Sequence, residues 1–408
     1  MLFSEKISVT RLEWIADCIN LFLENNQKFN LLEYSQDNEF LIKFFLTGDS
    51  IFSLIDTLYL DLWLKIFKHK ETICYVDSWD LELFGLKKSD FNVKISNKLH
   101  IEDNKKTTPL LFWETFLKIL DPKKYGNSFG FLELKGPYMS RTSVHILRAL
   151  RASLREEISP ELYAYLDGVH LGHDSQRPSE FENIANGLIN LKKEAEKRNL
   201  NLNMFACSRC GTARGYIKQN NSTGYIESED AIPSFIFCNL NKIIDKFELN
   251  NIIVSPNSIL IKNIQFNNFK KNKSNSLEIN NRPPIIILIT HSPYGTEYTF
   301  GGISFAVACA NHNIPTKVIF IENGIYSLIG SHNIRKEDGI FNIQEIVEAT
   351  FDMEYLEYYA HKPSLDKRVS LNKIDLEGIK LLSTLELSRF LFDPPRVANL
   401  FHKRIIFF

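Results

Sequence analysis

At 408 residues, with 44% hydrophobic and 24% charged residues, the chain has a globular composition and room for about two to four domains. A formal net charge of -1 and a pI near 6.8 leave no basic footprint for nucleic acid, and six cysteines scattered from Cys18 to Cys309 do not form the dense framework of a secreted disulfide protein. No stretch reaches about 18 uncharged apolar residues, and the opening MLFSEKISVTRLEWIADCINLF lacks signal-peptide order, so a soluble, cytoplasmic protein with no membrane contact is expected.

In chain order, RLEWIADCINLFLENN has the pattern of a helix, IKFFLTGDSIFSLI that of a strand ending in an acid and a turn, and ICYVDSWDLELFG that of a further strand. A strand ahead of the first helix is hard to find. Turn chemistry in DPKKYGNS, residues 121–128, marks a boundary. GFLELKGPYMSRTSVHILRALRASLRE then reads as strand, Pro-Tyr turn and helix, with Val144, Leu147, Leu150 and Leu154 on one face. ELYAYLDGVHLG supplies the next strand, closing a β-α-β unit, and LNMFACSRCGTARGY follows as a strand running into C-x-x-C. QNNSTGYIESED, residues 219–230, is a polar loop of the kind that gates a site or docks partners. Residues 265–284, rich in Lys, Asn and Ser and closed by two prolines, read as a linker.

The same plan then recurs in PIIILITHSPYGTEYTFGGISFAVACA and TKVIFIENGIYSLIG. Pro137 and Pro293 are 156 residues apart, as are Gly168 and Gly324, and two landmarks with one offset argue for duplication. The stretch before residue 122 reads as a third, worn copy. Three nine-residue segments after apolar strands align, DSWDLELFG, CSRCGTARG and HKPSLDKRV, which makes Asp77, Cys207 and His361 equivalent. The expected fold is α/β, with three tandem domains that are each a mostly parallel sheet flanked by helices: 1–122, 123–264 and, after the linker 265–284, 285–408.

In parallel α/β sheets reactive groups gather beyond the carboxyl ends of strands, and Cys207 follows LNMFA at such an end. A helix begun by SRCGTARG, with Arg209 and Arg214 nearby, favours thiolate over thiol at Cys207, and Gly211 and Gly215 permit close approach of a partner. Four readings stay open for the pair Cys207 and Cys210: a reactive nucleophile, a redox disulfide, a zinc clip completed by the H-x-x-H of His170 and His173, and two packed core residues. The zinc reading requires loops from two different strands to converge. One of the histidines could instead tune the thiol or donate a proton. Cys18, Cys74, Cys238 and Cys309 lie in apolar or helical runs and read as structural.

Taken together, GPY at 136–138, LDGV at 166–169 and CSRCGTARG at 207–215 resemble the DsrE or TusD subunit of the DsrE/DsrF/DsrH sulfur-relay family. THSPYGTEYTFGGISFAVACA and FIENGIYSLIG resemble DsrF or TusC, and the first copy, with GLKKSDFNVKISNKLHIED as its tail, is similar to DsrH or TusB. The resemblance implies a cytoplasmic sulfurtransferase that carries sulfane sulfur as a cysteine persulfide, without a resident cofactor or metal. It implies that sulfur is taken from a TusA-like donor and handed to a DsrC- or TusE-like acceptor, for tRNA 2-thiolation or dissimilatory sulfur metabolism. A homo-oligomer is also implied, a dimer of the fused chain mimicking the family hexamer, with no direct contact to nucleic acid. The sulfur-bearing position is the cysteine eight residues before the glycine of Arg-Gly, here Cys207, with Gly215 as that glycine. Cys210 is then a resolving thiol or a packing residue, with Arg209, Arg214, His170 and His173 in support. Asp77 and His361 cannot carry sulfane sulfur, which leaves the outer copies as scaffold or docking surface. The contrasting expectation is a non-catalytic assembly or binding protein, its cysteines binding zinc, forming a redox disulfide or vestigial.

Overall fold

The computed structural model describes residues 1–28, 41–102, 108–218, 230–249, 252–262, 284–368, 377–392 and 402–408. The linker at 265–284, apart from Pro284, and the polar loop at 219–230, apart from Asp230, lie outside the described residues. By contacts the chain forms two compact units, one of Met1–Ile7, Lys43–Leu60 and Ile73–Asn257, the other of Ser8–Ile42, Asp61–Thr72 and Ser258–Phe408. This division follows packing and does not coincide with the sequence boundaries at 122 and 264. Both units are α/β, with mostly parallel sheets flanked by helices.

The first unit holds strands β1 (Leu2–Phe3), β2 (Ile42–Leu46), β3 (Thr72–Val76) and β4 (Leu99–Ile101), hydrogen-bonded in that order. The strand not found in the sequence ahead of the first helix is only two residues long, too short to show any period, and it pairs in parallel with β2. A second sheet in this unit contains β5 (Ser128–Glu133), β6 (Ser159–Ala164), β7 (Asn203–Cys207), β8 (Phe235–Cys238) and β9 (Ile253–Val254). Its order is β8-β7-β6-β5-β9, parallel throughout. Trp113, on the helix Leu111–Leu120, packs edge-on to Phe116 and Phe131 with ring centroids 5.8 and 6.3 Å away, and all three are fully buried. Burying each such ring contributes about 1.5–3 kcal/mol.

In the second unit the strands are β10 (Asn257–Lys262), β11 (Ile285–Ile289), β12 (Thr316–Phe320), β13 (Leu356–His361), β14 (Lys380–Leu382) and β15 (His402–Phe407). They run β14-β13-β12-β11-β15-β10, parallel except for the antiparallel pair β10–β15. Every residue of β11 is buried, which is why Ile-Ile-Ile-Leu-Ile is continuous rather than alternating: helices cover both faces of a parallel sheet. The helix Val9–Lys28 belongs to this unit and packs on the helix Thr384–Phe392, where the Phe22 and Phe392 ring centroids are 5.2 Å apart.

The offset of 156 recurs in the backbone. Tyr138 and Tyr294, Glu157 and Asn313, Leu166 and Glu322, and Asn199 and Tyr355 all take positive φ, and each pair is 156 residues apart. Leu166 and Glu322 each open a seven-residue 3-10 helix after a strand, and Gly48, with φ +53°, does the same after β2. A non-glycine residue in this region is strained, so its recurrence at fixed spacing reflects one inherited turn geometry.

Candidate functional site

β7 ends on Cys207, which serves as N-cap to the six-residue helix Ser208–Ala213 with extended backbone, φ -66° and ψ 118°. Asp77 caps the helix Ser78–Leu83 at φ -66° and ψ 107°, and His361 caps Lys362–Asp366 at φ -74° and ψ 108°. The three residues aligned by sequence therefore occupy the same turn between strand and helix.

At Cys207 the thiol is drawn down to about 7. The largest cause is the Cys210 thiol, which hydrogen-bonds to the Cys207 sulfur; burial opposes it, and the amides of Cys210 and Arg209 with the Arg209 guanidinium add to the lowering. Cys210 is pushed strongly upward by the same hydrogen bond, by burial and by the Cys207 charge. The pair is therefore divided in role: one sulfur tends to thiolate and the other keeps its proton. Such an arrangement favours attack by Cys207 on an electrophilic sulfur.

Several expectations are corrected by geometry. Cys207 is 2% and Cys210 7% exposed, so the thiolate is enclosed rather than open to solvent. Gly211 does not clear a path for a partner: a Cβ there would meet Phe237 ring carbons at 2.7 and 2.9 Å, so the glycine makes room for that ring. Gly215, at φ +83° with open space around it, is required by the turn alone. Arg214 donates from Nε to Asp167 Oδ1 at 2.7 Å and from Nη1 to the Cys210 carbonyl at 3.5 Å, while Arg209 is exposed.

The histidines are also occupied elsewhere. The Tyr216 hydroxyl and His170 Nδ1 share a hydrogen bond at 2.7 Å, with the histidine lowered by burial and the tyrosine raised to about 12 by the same cause. His173 donates from Nδ1 to the Asp230 carbonyl at 2.9 Å. Among the described residues no group of three or more His, Cys, Asp or Glu is gathered to hold a metal ion. Tyr216, which also stacks on Phe237 at 6.2 Å, carried no motif that could have singled it out.

Two further features were not legible in the chain. Cys238, the last residue of β8, is the register partner of Cys207 and only 7% exposed. Around Asp77, meanwhile, a buried polar network forms instead of a thiol site. Thr47 Oγ1 lies 2.8 Å from both Asp77 Oδ2 and Asp80 Oδ2, and one hydroxyl proton cannot serve two carboxylates. Asp77 is raised to about 7 by burial and by Asp80, so its carboxyl proton can go to Thr47, whose own proton then goes to Asp80. Asp80 stays ionised, bonded by His145 Nε2 at 2.8 Å, Arg148 at 3.0 Å and Arg141 at 3.2 Å. His361 is lowered to about 4 by burial, and its Nδ1 is hydrogen-bonded to Ser364 Oγ at 2.9 Å, a hydroxyl that also accepts from the Glu322 amide. The remaining cysteines, Cys18, Cys74 and Cys309, are fully buried, with Cys18 and Cys74 raised well above the ordinary thiol range by burial.

Among solved structures the chain is similar to the ychN protein from E. coli, at 18% identity over 31% of this chain and 99% of that one, with a TM-score of 0.25. No protein-family model matches the chain, and no curated protein matches it. Among the described residues no helix is long and apolar enough to cross a membrane.

Proposed function

We propose that the chain is a sulfur-relay transferase of the DsrE/DsrF/DsrH type that carries sulfane sulfur as a persulfide on Cys207. The observation that carries this reading is the acidity of Cys207, held near 7 at the carboxyl end of a parallel strand by the proton-bearing Cys210. On this reading residues 1–122, 123–264 and 285–408 are three related domains in one chain. The middle one handles sulfur while the outer two serve as scaffold, and fusion raises the effective concentration of each for its neighbours. A TusA-like donor, a DsrC- or TusE-like acceptor, assembly as a dimer and work in the cytoplasm belong to the same proposal, with tRNA thiolation or dissimilatory sulfur metabolism as the end use.

The chemistry is a thiol exchange. The Cys207 thiolate attacks the outer sulfur of a donor persulfide, forms the new S–S bond and releases the donor thiolate; an acceptor thiolate then attacks that outer sulfur and Cys207 leaves. The acidity of Cys207 helps at both ends, raising the thiolate fraction for the first step and making Cys207 a good leaving group in the second.

Burial of Cys207 at 2% exposure favours a second reading, a binding protein whose cysteines only pack. Incubation with inorganic polysulfide followed by intact-mass measurement separates the two. The relay reading expects a gain of one sulfur atom per chain, abolished by Cys207→Ser, kept at least in part by Cys210→Ser and near wild type in Asp77→Ala and His361→Ala. Absence of any adduct on the folded wild-type chain supports the binding protein.

A further inference from the structure

The site contains a third thiol. β7 and β8 are parallel neighbours, paired Met204 to Phe235, Phe205 to Ile236, Ala206 to Phe237 and Cys207 to Cys238. Register partners in a sheet project to the same face, and neighbouring strands lie about 4.8 Å apart. That spacing falls within the Cα separation of about 4.4–6.8 Å that a disulfide spans. Both cysteines end their strands, both are buried, and both are reduced in this structure. Cys238 also feels Cys207, whose charge is among the causes that raise it, after burial and against Lys242.

We propose that Cys238, and not Cys210, is the resolving thiol of Cys207, freeing it from mixed disulfides by forming a Cys207–Cys238 bond. When Cys207 is joined to a foreign thiol R as Cys207–S–S–R, its negative charge is gone and the repulsion that hindered Cys238 from ionising disappears. The Cys238 thiol loses its proton to solvent and its sulfur attacks Cys207 Sγ. The S–S bond to R breaks, the electron pair leaves with R as a thiolate, and the new Cys207–Cys238 bond forms. The balance is one disulfide exchanged for another, with no external oxidant; a dithiol reductant is needed only to restore both thiols. Capping Cys207 also removes the hydrogen bond and the charge that drive Cys210 upward, so the choice of Cys238 rests on geometry: it lies directly opposite Cys207 in the strand register, at about the Cα separation that a disulfide spans. The place of Cys210 one turn along the helix makes it a stabiliser of the resting thiolate.

The step is independent of whether the group brought to Cys207 is a persulfide donor, so it is tested with an aromatic disulfide, 5,5′-dithiobis(2-nitrobenzoate), on the full-length chain. Wild type is expected to release one equivalent of the coloured thiolate as Cys207 is modified and a second as Cys238 displaces the aromatic group. Peptide mapping should then show Cys207 joined to Cys238, with a net loss of two hydrogens in mass. Cys238→Ser should stop after the first equivalent and keep the aromatic adduct on Cys207, whereas Cys210→Ser should release both. A Cys207–Cys210 bond in wild type, a second equivalent surviving Cys238→Ser, or a folded wild-type chain whose Cys207 takes no label would each overturn the proposal. Absence of persulfide loading, by contrast, would remove the relay reading and leave this result standing.

Discussion

The Cys210 thiol, one helical turn beyond Cys207, hydrogen-bonds to the Cys207 sulfur and is the largest cause of its acidity near 7. Removing the donor should undo this. Cys210→Ala is expected to shift the pH profile of Cys207 alkylation toward alkaline values, while Cys210→Ser, which retains a hydroxyl donor, should shift it less. Rates of iodoacetamide labelling at graded pH, read by peptide mass, measure both. An unchanged profile in Cys210→Ala would assign the acidity to the amides and Arg209 instead.

Gly168 and Gly324 face the same obstacle in their two β-α-β units. A Cβ on Gly168 would lie 2.2 Å from the Glu133 carbonyl oxygen, and one on Gly324 would lie 1.9 Å from that of Ile289. Each carbonyl belongs to a strand end and cannot rotate away without breaking the turn. Gly168→Ala and Gly324→Ala should each cost about 1–3 kcal/mol, within the range for overpacking. Denaturant midpoints at unchanged m-value provide the check, and a wild-type midpoint in either variant would mean the turn opens freely.

Glu133 gives the first unit a pH dependence whose sign follows from its burial. Its carboxyl is raised from 4.5 to about 8, burial being the main cause, and its Oε2 has no hydrogen-bond partner among the described residues. Because the folded value exceeds the unfolded one, the stability tied to the neutral carboxyl is fully present below about pH 4.5 and is lost as pH rises through about 8. Glu133→Gln, which keeps the shape and cannot ionise, should therefore gain stability relative to wild type between pH 6 and 9 and little near pH 4. Thermal melts across that range test it; a stability difference that does not grow with pH would mean Glu133 ionises in place without cost.

Much of the plan was legible in the chain because it is written in local pattern. Unbroken apolar runs such as Ile285–Ile289 identify strands buried on both faces, and the offset of 156 between Pro137 and Pro293 and between Gly168 and Gly324 is the same offset at which the positive-φ turns recur. The alignment of Asp77, Cys207 and His361 needed only the apolar strand ahead of each, and all three are N-caps at one kind of turn. Leu2–Phe3 could not be found, since two residues carry no period. What surrounds Cys207 was decided by the tertiary structure. That Cys238 is its register partner depends on β8 pairing with β7, a choice of strand order that no local sequence signal encodes. The enclosure of the thiolate, the turning of Arg214 to Asp167 and of His170 to Tyr216, and the closure of Asp77 into a network with Asp80 and His145 likewise join residues far apart in the chain. Local periodicity sets which segments become strands and helices, whereas the surroundings of a side chain, and with them its acidity, are set by the segments that pack around it, and only the folded chain brings those together.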